Sequence, residues 1–311
     1  MKLRRGLATA GATLLLGWVP VLLLPAPPAS AAAPSVSCQS PSHPALAARL
    51  DRDIDRALRG RVSAVAVGVD DPGQGLKCWL NSSAHFDSAS VVKVTILSAL
   101  LRKAQEQHRR LTPTEAALAT EMITESDNDA ASDLWVDVGP YDLQHFLDLA
   151  HMTQTHLGPG PYWGLTQITA YNEVLLLRLL LNPNAVLDTT SRDYVLDLMA
   201  RVIPSQRWGV PVGAPTSLTV HVKNGWLPLY PHGWRINSIG AFTGRGGAYS
   251  IVVLTQDNPT MTYGIDTIEA IAKVINRDLN PAAKSRVPSS ASSASWGTPD
   301  EPVPTVLPGS T

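Results

Sequence analysis

Ser90 and Lys93 stand one helical turn apart in Asp87-Ser88-Ala89-Ser90-Val91-Val92-Lys93-Val94, the only Ser-x-x-Lys of the 311-residue chain. A serine hydroxyl is a poor nucleophile until a base stands beside it. On a helix, a lysine at i+3 shares the serine's face and brings its amine within hydrogen-bonding reach. Val91, Val92, Val94 and Ile96 crowd that lysine with apolar bulk, and burial lowers a lysine's pKa toward neutrality. In the first turn of a helix, aligned N–H groups also favour negative charge developing at Ser90. Such a pair can run acyl transfer through a serine ester. A helix that Ser90 merely caps, with Lys93 in solvent, would read the same way.

Two triplets downstream could complete that chemistry. Ser126-Asp127-Asn128 follows 36 residues after Ser90, where Ser126 would carry a proton to a leaving nitrogen, Asn128 would hold a substrate amide, and Asp127 would fix the loop. The bland alternative is a turn and cap for the helix that follows. Lys223-Asn224-Gly225 comes 97 residues further on, at the end of the apolar run Leu218 to Val222. Lys223 would raise the potential near Ser126 and attract an acidic substrate, and Gly225 would let a substrate backbone lie against the strand. The N–H groups of Trp226 and Ser90 could then form an oxyanion hole. An edge-strand lysine that only discourages aggregation is the alternative.

The surrounding pattern sets where these triplets fall. Ala45 to Leu58 is predicted as an amphipathic helix, Arg61 to Val69 and Leu76 to Leu80 as strands joined at Asp70-Asp71-Pro72-Gly73. Helices are expected over 90–109, 115–124, 130–136, 142–151, 165–181 and 191–202. Strands return at 217–223, 234–242 and 248–254, and a helix over 265–279 closes the fold. The order implies a mixed α/β (α+β) architecture: an antiparallel sheet flanked by the terminal helices, plus an all-helical lobe. The sheet lobe would span about 44–87 and 215–282, and the helical lobe 88–214, within one domain at 41–282. All three triplets lie where the lobes join, a preferred place for a small-molecule cleft.

Composition narrows the class. The chain carries 25 basic and 26 acidic residues with no Lys/Arg run, which argues against a nucleic-acid partner. Residues 1–33 read as a signal peptide: Lys2, Arg4 and Arg5, an apolar run broken by Pro20 and Pro25, then small residues to Ala33. Export, no membrane anchor after cleavage, and a monomer are expected. Arg4-Arg5 leaves the twin-arginine route open beside the general one. In an oxidising compartment Cys38 and Cys78 are expected to pair, two unpaired thiols being the alternative. Residues 283–311 belong to a Pro/Ser-rich tail expected to be disordered. There is no Gly-x-Ser-x-Gly, and the eight histidines form no ligand cluster, so neither a metal nor another cofactor is expected.

Taken together, the three triplets resemble the signature of the penicillin-recognising serine hydrolases, and the span from about Ala45 to Leu279 resembles their class A β-lactamase-like branch. Trp226-Leu227-Pro228 and Asn237-Ser238-Ile239-Gly240 add to the likeness. The resemblance implies a β-lactamase/transpeptidase-like fold and a small-molecule or peptidoglycan-like substrate. It also implies Ser90 as the acylated residue, Lys93 and Ser126 as proton carriers, Lys223 as an aid to Ser126, and Asn128 and Trp226 as substrate contacts. Two departures stand out. The family's third motif has Thr or Ser where this chain has Asn224, whose amide can still hydrogen-bond a substrate carboxylate, so Asn224 is expected among the substrate contacts. The loop His156 to Gly164 also holds no carboxylate, where class A β-lactamases carry the Glu that activates water for deacylation. Weak β-lactam turnover by a secreted serine hydrolase is therefore expected. A cell-wall D,D-peptidase or penicillin-binding protein, and a non-catalytic binding protein on the same fold, are the rivals.

Overall fold

In a computed structural model, residues 35–228, 233–245 and 247–282 are described. Eight strands and seven α-helices follow one another as β1 Ser37–Gln39, α1 Pro44–Leu58, β2 Ala64–Asp71, β3 Leu76–Leu80 and β4 Phe86–Asp87. Then come α2 Val92–Glu106, α3 Pro113–Thr124, α4 Asn128–Leu149, β5 Gln167–Ile168, α5 Ala170–Leu181 and α6 Thr189–Ala200. The chain ends in β6 Thr219–Pro228, β7 Trp234–Gly244, β8 Gly247–Asn258 and α7 Met261–Leu279. Six strands form one sheet in the order β1-β3-β2-β8-β7-β6, with every neighbouring pair antiparallel. The α+β architecture read from the sequence is the one observed.

The terminal helices α1 and α7 pack on each other, and α7 also on β7 and β8, as the alternation of apolar strand residues on both faces requires. Ile54 and Leu50 of α1, and Ile268, Ile271 and Ile275 of α7, are fully buried there. The middle helices α2, α3, α4 and α6 pack among themselves, with α2 contributing an unbroken buried run from Val92 to Leu101. Helix α5 belongs to both parts, because it packs on α6 and also on β2 and β8. Gly68 of β2 permits that approach: a methyl group there would meet Val174 at 2.7 Å.

The structure departs from the sequence reading where turn chemistry overrides period. Asp70 and Asp71 continue β2, and the turn lies at Pro72–Gln74, capped by the Asp71 carboxylate. The helices expected over 130–136 and 142–151 run on through a kink, at Gly139 with φ 75° and at Pro140, which lacks the N–H a straight helix needs. The helix expected from 165 begins only at Ala170. A short 3₁₀ turn at Trp163–Leu165 and strand β5 precede it, and the Thr169 hydroxyl caps it. Strand β5 pairs with β4, a two-stranded piece too short to show alternation. The fold also begins before residue 41, since β1 adds an edge strand and places Cys38 opposite Cys78. Those two cysteines form a disulfide. The signal-peptide and tail expectations fall on 1–33 and 283–311, outside the described residues. Among the described residues no helix is long and apolar enough to cross a membrane.

Candidate active site

Ser90 sits in a 3₁₀ turn, Ala89–Val91, one step ahead of α2 and not within its first α-turn. Ala89 holds φ +46°, a left-handed conformation an alanine adopts only under constraint. The constraint comes from the residues before it. The Asp87 carboxylate pairs with Arg235 at 2.9 Å and accepts from the Gln167 amide. Asn237 donates to the carbonyls of Asp87 (2.8 Å) and Ser88 (3.2 Å), and the Ser88 N–H donates to Thr166 at 2.8 Å. Sheet and loop thus clamp the backbone on both sides, and backbone strain held this way tends to accompany function.

Lys93 follows in the first turn of α2 and is fully buried. Its ammonium donates to the Ser126 carbonyl at 2.8 Å, the Ser126 hydroxyl at 3.3 Å and the Asn128 side-chain oxygen at 2.6 Å. One flank of it lies over the Trp163 indole, 4.6 Å from the ring centre. A solvated Lys93 is therefore ruled out.

Ser126 lies between α3 and α4 with φ +61°, the second strained non-glycine residue of the site. That conformation turns both its carbonyl and its hydroxyl toward Lys93. Lys223, also fully buried, donates to the same hydroxyl at 2.8 Å from the other side. Two lysine nitrogens donating to its lone pairs leave the hydroxyl's own proton as the one to be given away. Of the triplet's remaining residues, Asp127 caps α4 by accepting from the Ala130 N–H at 2.7 Å. Asn128 has its oxygen on Lys93, and its NH₂ group makes no hydrogen bond with a described residue.

On β6 the alternation of side chains sorts the third triplet. Lys223 and Gly225 share the face toward Ser126 and Ser90, and α6 together with the Ser90 turn covers this end of the sheet. Gly225 touches the nucleophile's turn so closely that a Cβ there would lie 2.8 Å from the Ser90 nitrogen and force the turn to shift. Trp226 follows it, its ring tilted against Trp208 with centres 6.1 Å apart. Asn224 is a correction to the sequence reading. Its NH₂ donates to the carbonyls of Gln206 (2.8 Å) and Trp208 (2.9 Å) behind the strand, and the residue is 1% exposed. An amide so committed anchors the strand to the loop beneath it and does not face the cleft.

The loop from His156 to Gly164 brings no acid to the site. Asp148 is exposed and bonded by Gln144 at 2.8 Å. Glu173 is fully buried in α5, both carboxyl oxygens lack a hydrogen-bond partner, and burial pushes its pKa up to about 8. What the loop does bring is Trp163, whose N–H donates to the Ser132 hydroxyl at 3.1 Å. Neither residue was picked out from the sequence. Ser132 stands one turn beyond Asn128 and could have been found by helical spacing, whereas Trp163 carried no periodic signal.

Comparisons with known proteins show the family and the fold. A family model described as the beta-lactamase enzyme family matches residues 107–279, more than half the chain. The protein belongs to that family, within the penicillin-recognising serine hydrolase superfamily. The match begins after Ser90 and Lys93. A class A β-lactamase from Bacteroides cellulosilyticus is 18% identical with TM-score 0.66, covering 78% of this chain and 99% of that one. The TLA-3 extended-spectrum β-lactamase is 18% identical with TM-score 0.67, over 74% and 98%. A PBP-A mutant, solved as an acyl-enzyme complex with penicillin G, is 16% identical with TM-score 0.65, over 75% and 97%. No curated protein matched significantly.

Proposed function

We propose that the protein is an exported serine hydrolase that forms an acyl-enzyme on Ser90 with β-lactams or similar amides and esters, and releases it slowly. The observation that carries this reading is the Ser126 hydroxyl, held between Lys93 at 3.3 Å and Lys223 at 2.8 Å. Such a group serves to deliver a proton to a leaving nitrogen, and it has little purpose in a protein that only binds. Lys93 relays the Ser90 proton, the N–H groups of Ser90 and Trp226 receive the oxyanion, and the free NH₂ of Asn128 binds the substrate's amide carbonyl. Asp127 keeps the relay in place by capping α4.

Slow release follows from the loop. A placed base contributes roughly 10²–10⁴-fold to a proton transfer, and no carboxylate from the loop or from Glu173 bonds to Ser90, Lys93 or Ser126. The D,D-peptidase reading needs no such carboxylate, and the PBP-A likeness in fold keeps it as the second reading. Intact mass after mixing with a chromogenic cephalosporin, with absorbance followed over time, tests both. A burst of about one equivalent, a +acyl mass lost on Ser90→Ala, and a slow steady rate are expected. A steady rate as fast as the burst would mean that another base exists. No adduct and no colour would leave a binding protein.

A further inference from the structure

We propose that Trp163 is the residue that keeps water from the acyl-enzyme, and so sets its lifetime. This inference rests on the acyl-enzyme reading above. On one side of the Lys93 ammonium stand its three oxygen acceptors, from Ser126 and Asn128. On another flank lies the Trp163 indole, 4.6 Å from the nitrogen. The ring is only 3% exposed. Its N–H is fixed on Ser132, and Ser132 in turn donates to the carbonyl of Asn128 at 2.9 Å.

The rest of the loop prevents the ring from swinging out. Trp135 donates to the Gly160 carbonyl at 3.0 Å, Gly158 donates to the Thr166 hydroxyl at 3.0 Å, and His156 and Gln167 exchange backbone hydrogen bonds. A small apolar cluster of Ala89, Leu165 and Leu227, with Tyr162 packed on it, joins the loop to the nucleophile's turn and to β6. The plug is therefore built on the same clamp that holds Ser90.

Its consequence is chemical. Hydrolysis of the ester requires a water at the acyl carbon with a base against that water. The leaving group departs on the side of Ser126 and Lys223, and the oxyanion lies toward Gly225 and Trp226. The loop side remains for water, and there the indole fills the space beside Lys93. Exclusion of water acts on the second half of the reaction, once the leaving group has gone.

Labelling by a fluorescent penicillin and decay of the adduct by intact mass separate the two halves, for the wild type and for W163A, W163L and W163F. The adduct on W163A is expected to decay at least tenfold faster than on the wild type, with the labelling rate constant within threefold. W163F, which keeps a ring over Lys93, should stay within threefold of the wild type in both. Should W163A fail to fold, W163L opens the same space and is read on the same terms. An unchanged adduct lifetime in W163A, or in W163L if W163A does not fold, would overturn the proposal while leaving the acyl-enzyme reading intact. So would a W163F adduct as short-lived as that of the alanine variant. A wild type that never labels would overturn both.

Discussion

Gly225 lies against Ser90: a methyl group on it would come within 2.8 Å of the Ser90 nitrogen and of the Ser88 carbonyl oxygen. Strand β6 and the nucleophile's turn therefore meet backbone to backbone. Any side chain at 225 must push the turn away from the strand, and so move the Ser90 N–H away from the Trp226 N–H, the pair proposed to receive the oxyanion. Gly225→Ala is expected to lower the labelling rate by at least a hundredfold, comparable to losing an oxyanion donor. Its stability should fall by only about 1–3 kcal/mol, as overpacking typically costs. Denaturant melts beside labelling kinetics check this, and a variant that labels at the wild-type rate would move the oxyanion site elsewhere.

Ser126 and Lys223 are expected to act as one unit. Ser126→Ala should slow acylation roughly 10²–10⁴-fold, the range for a lost proton donor. Lys223→Ala should cost a similar factor, and the double variant little more than either single one. The check is a double-mutant cycle on the labelling rate. Additive losses would show that Lys223 acts on the substrate directly and not through the serine.

Glu173 predicts a pH dependence of stability. Burial raises its pKa to about 8 in the fold, against the ordinary 4.5 expected when unfolded. Below the ordinary value both states are protonated and nothing is lost. Between the two values only the unfolded state ionises, so stability declines as pH rises, by about 5 kcal/mol in total. Above about 8 the loss is complete. Glu173→Met should therefore raise the melting temperature markedly at pH 8 and little at pH 4.5. Equal gains at both values would mean that the carboxyl finds a partner or water.

The Cys38–Cys78 bridge joins β1 to β3 across 40 residues of chain. Titration of the denatured protein without reductant should find no free thiol. Replacing both cysteines by serine should lower stability by about 4 kcal/mol in the chain-entropy model. Acylation should be unaffected at temperatures where the variant stays folded, because the bridge lies at the far edge of the sheet from β6.

The chain's one-dimensional order already determined which residues could be chemical partners. Ser90 and Lys93 were legible because their spacing is a helical turn, and local hydrogen bonding depends on spacing. Asp127 was legible as a cap because capping needs only the next three residues. The α+β class followed from strand and helix periods, which are likewise local. Tertiary structure alone decided how Lys93 and Lys223, separated by 130 positions, converge on one hydroxyl. Only the fold turned Asn224 away, because strand alternation gives it the opposite face from Lys223 and Gly225, and the carbonyls waiting on that face come from a distant loop. Trp163 belongs to the same category. Nothing in a loop without periodicity says what its aromatic ring will cover, since that depends on where the loop's pins to α4 and to Ser88 bring it to rest.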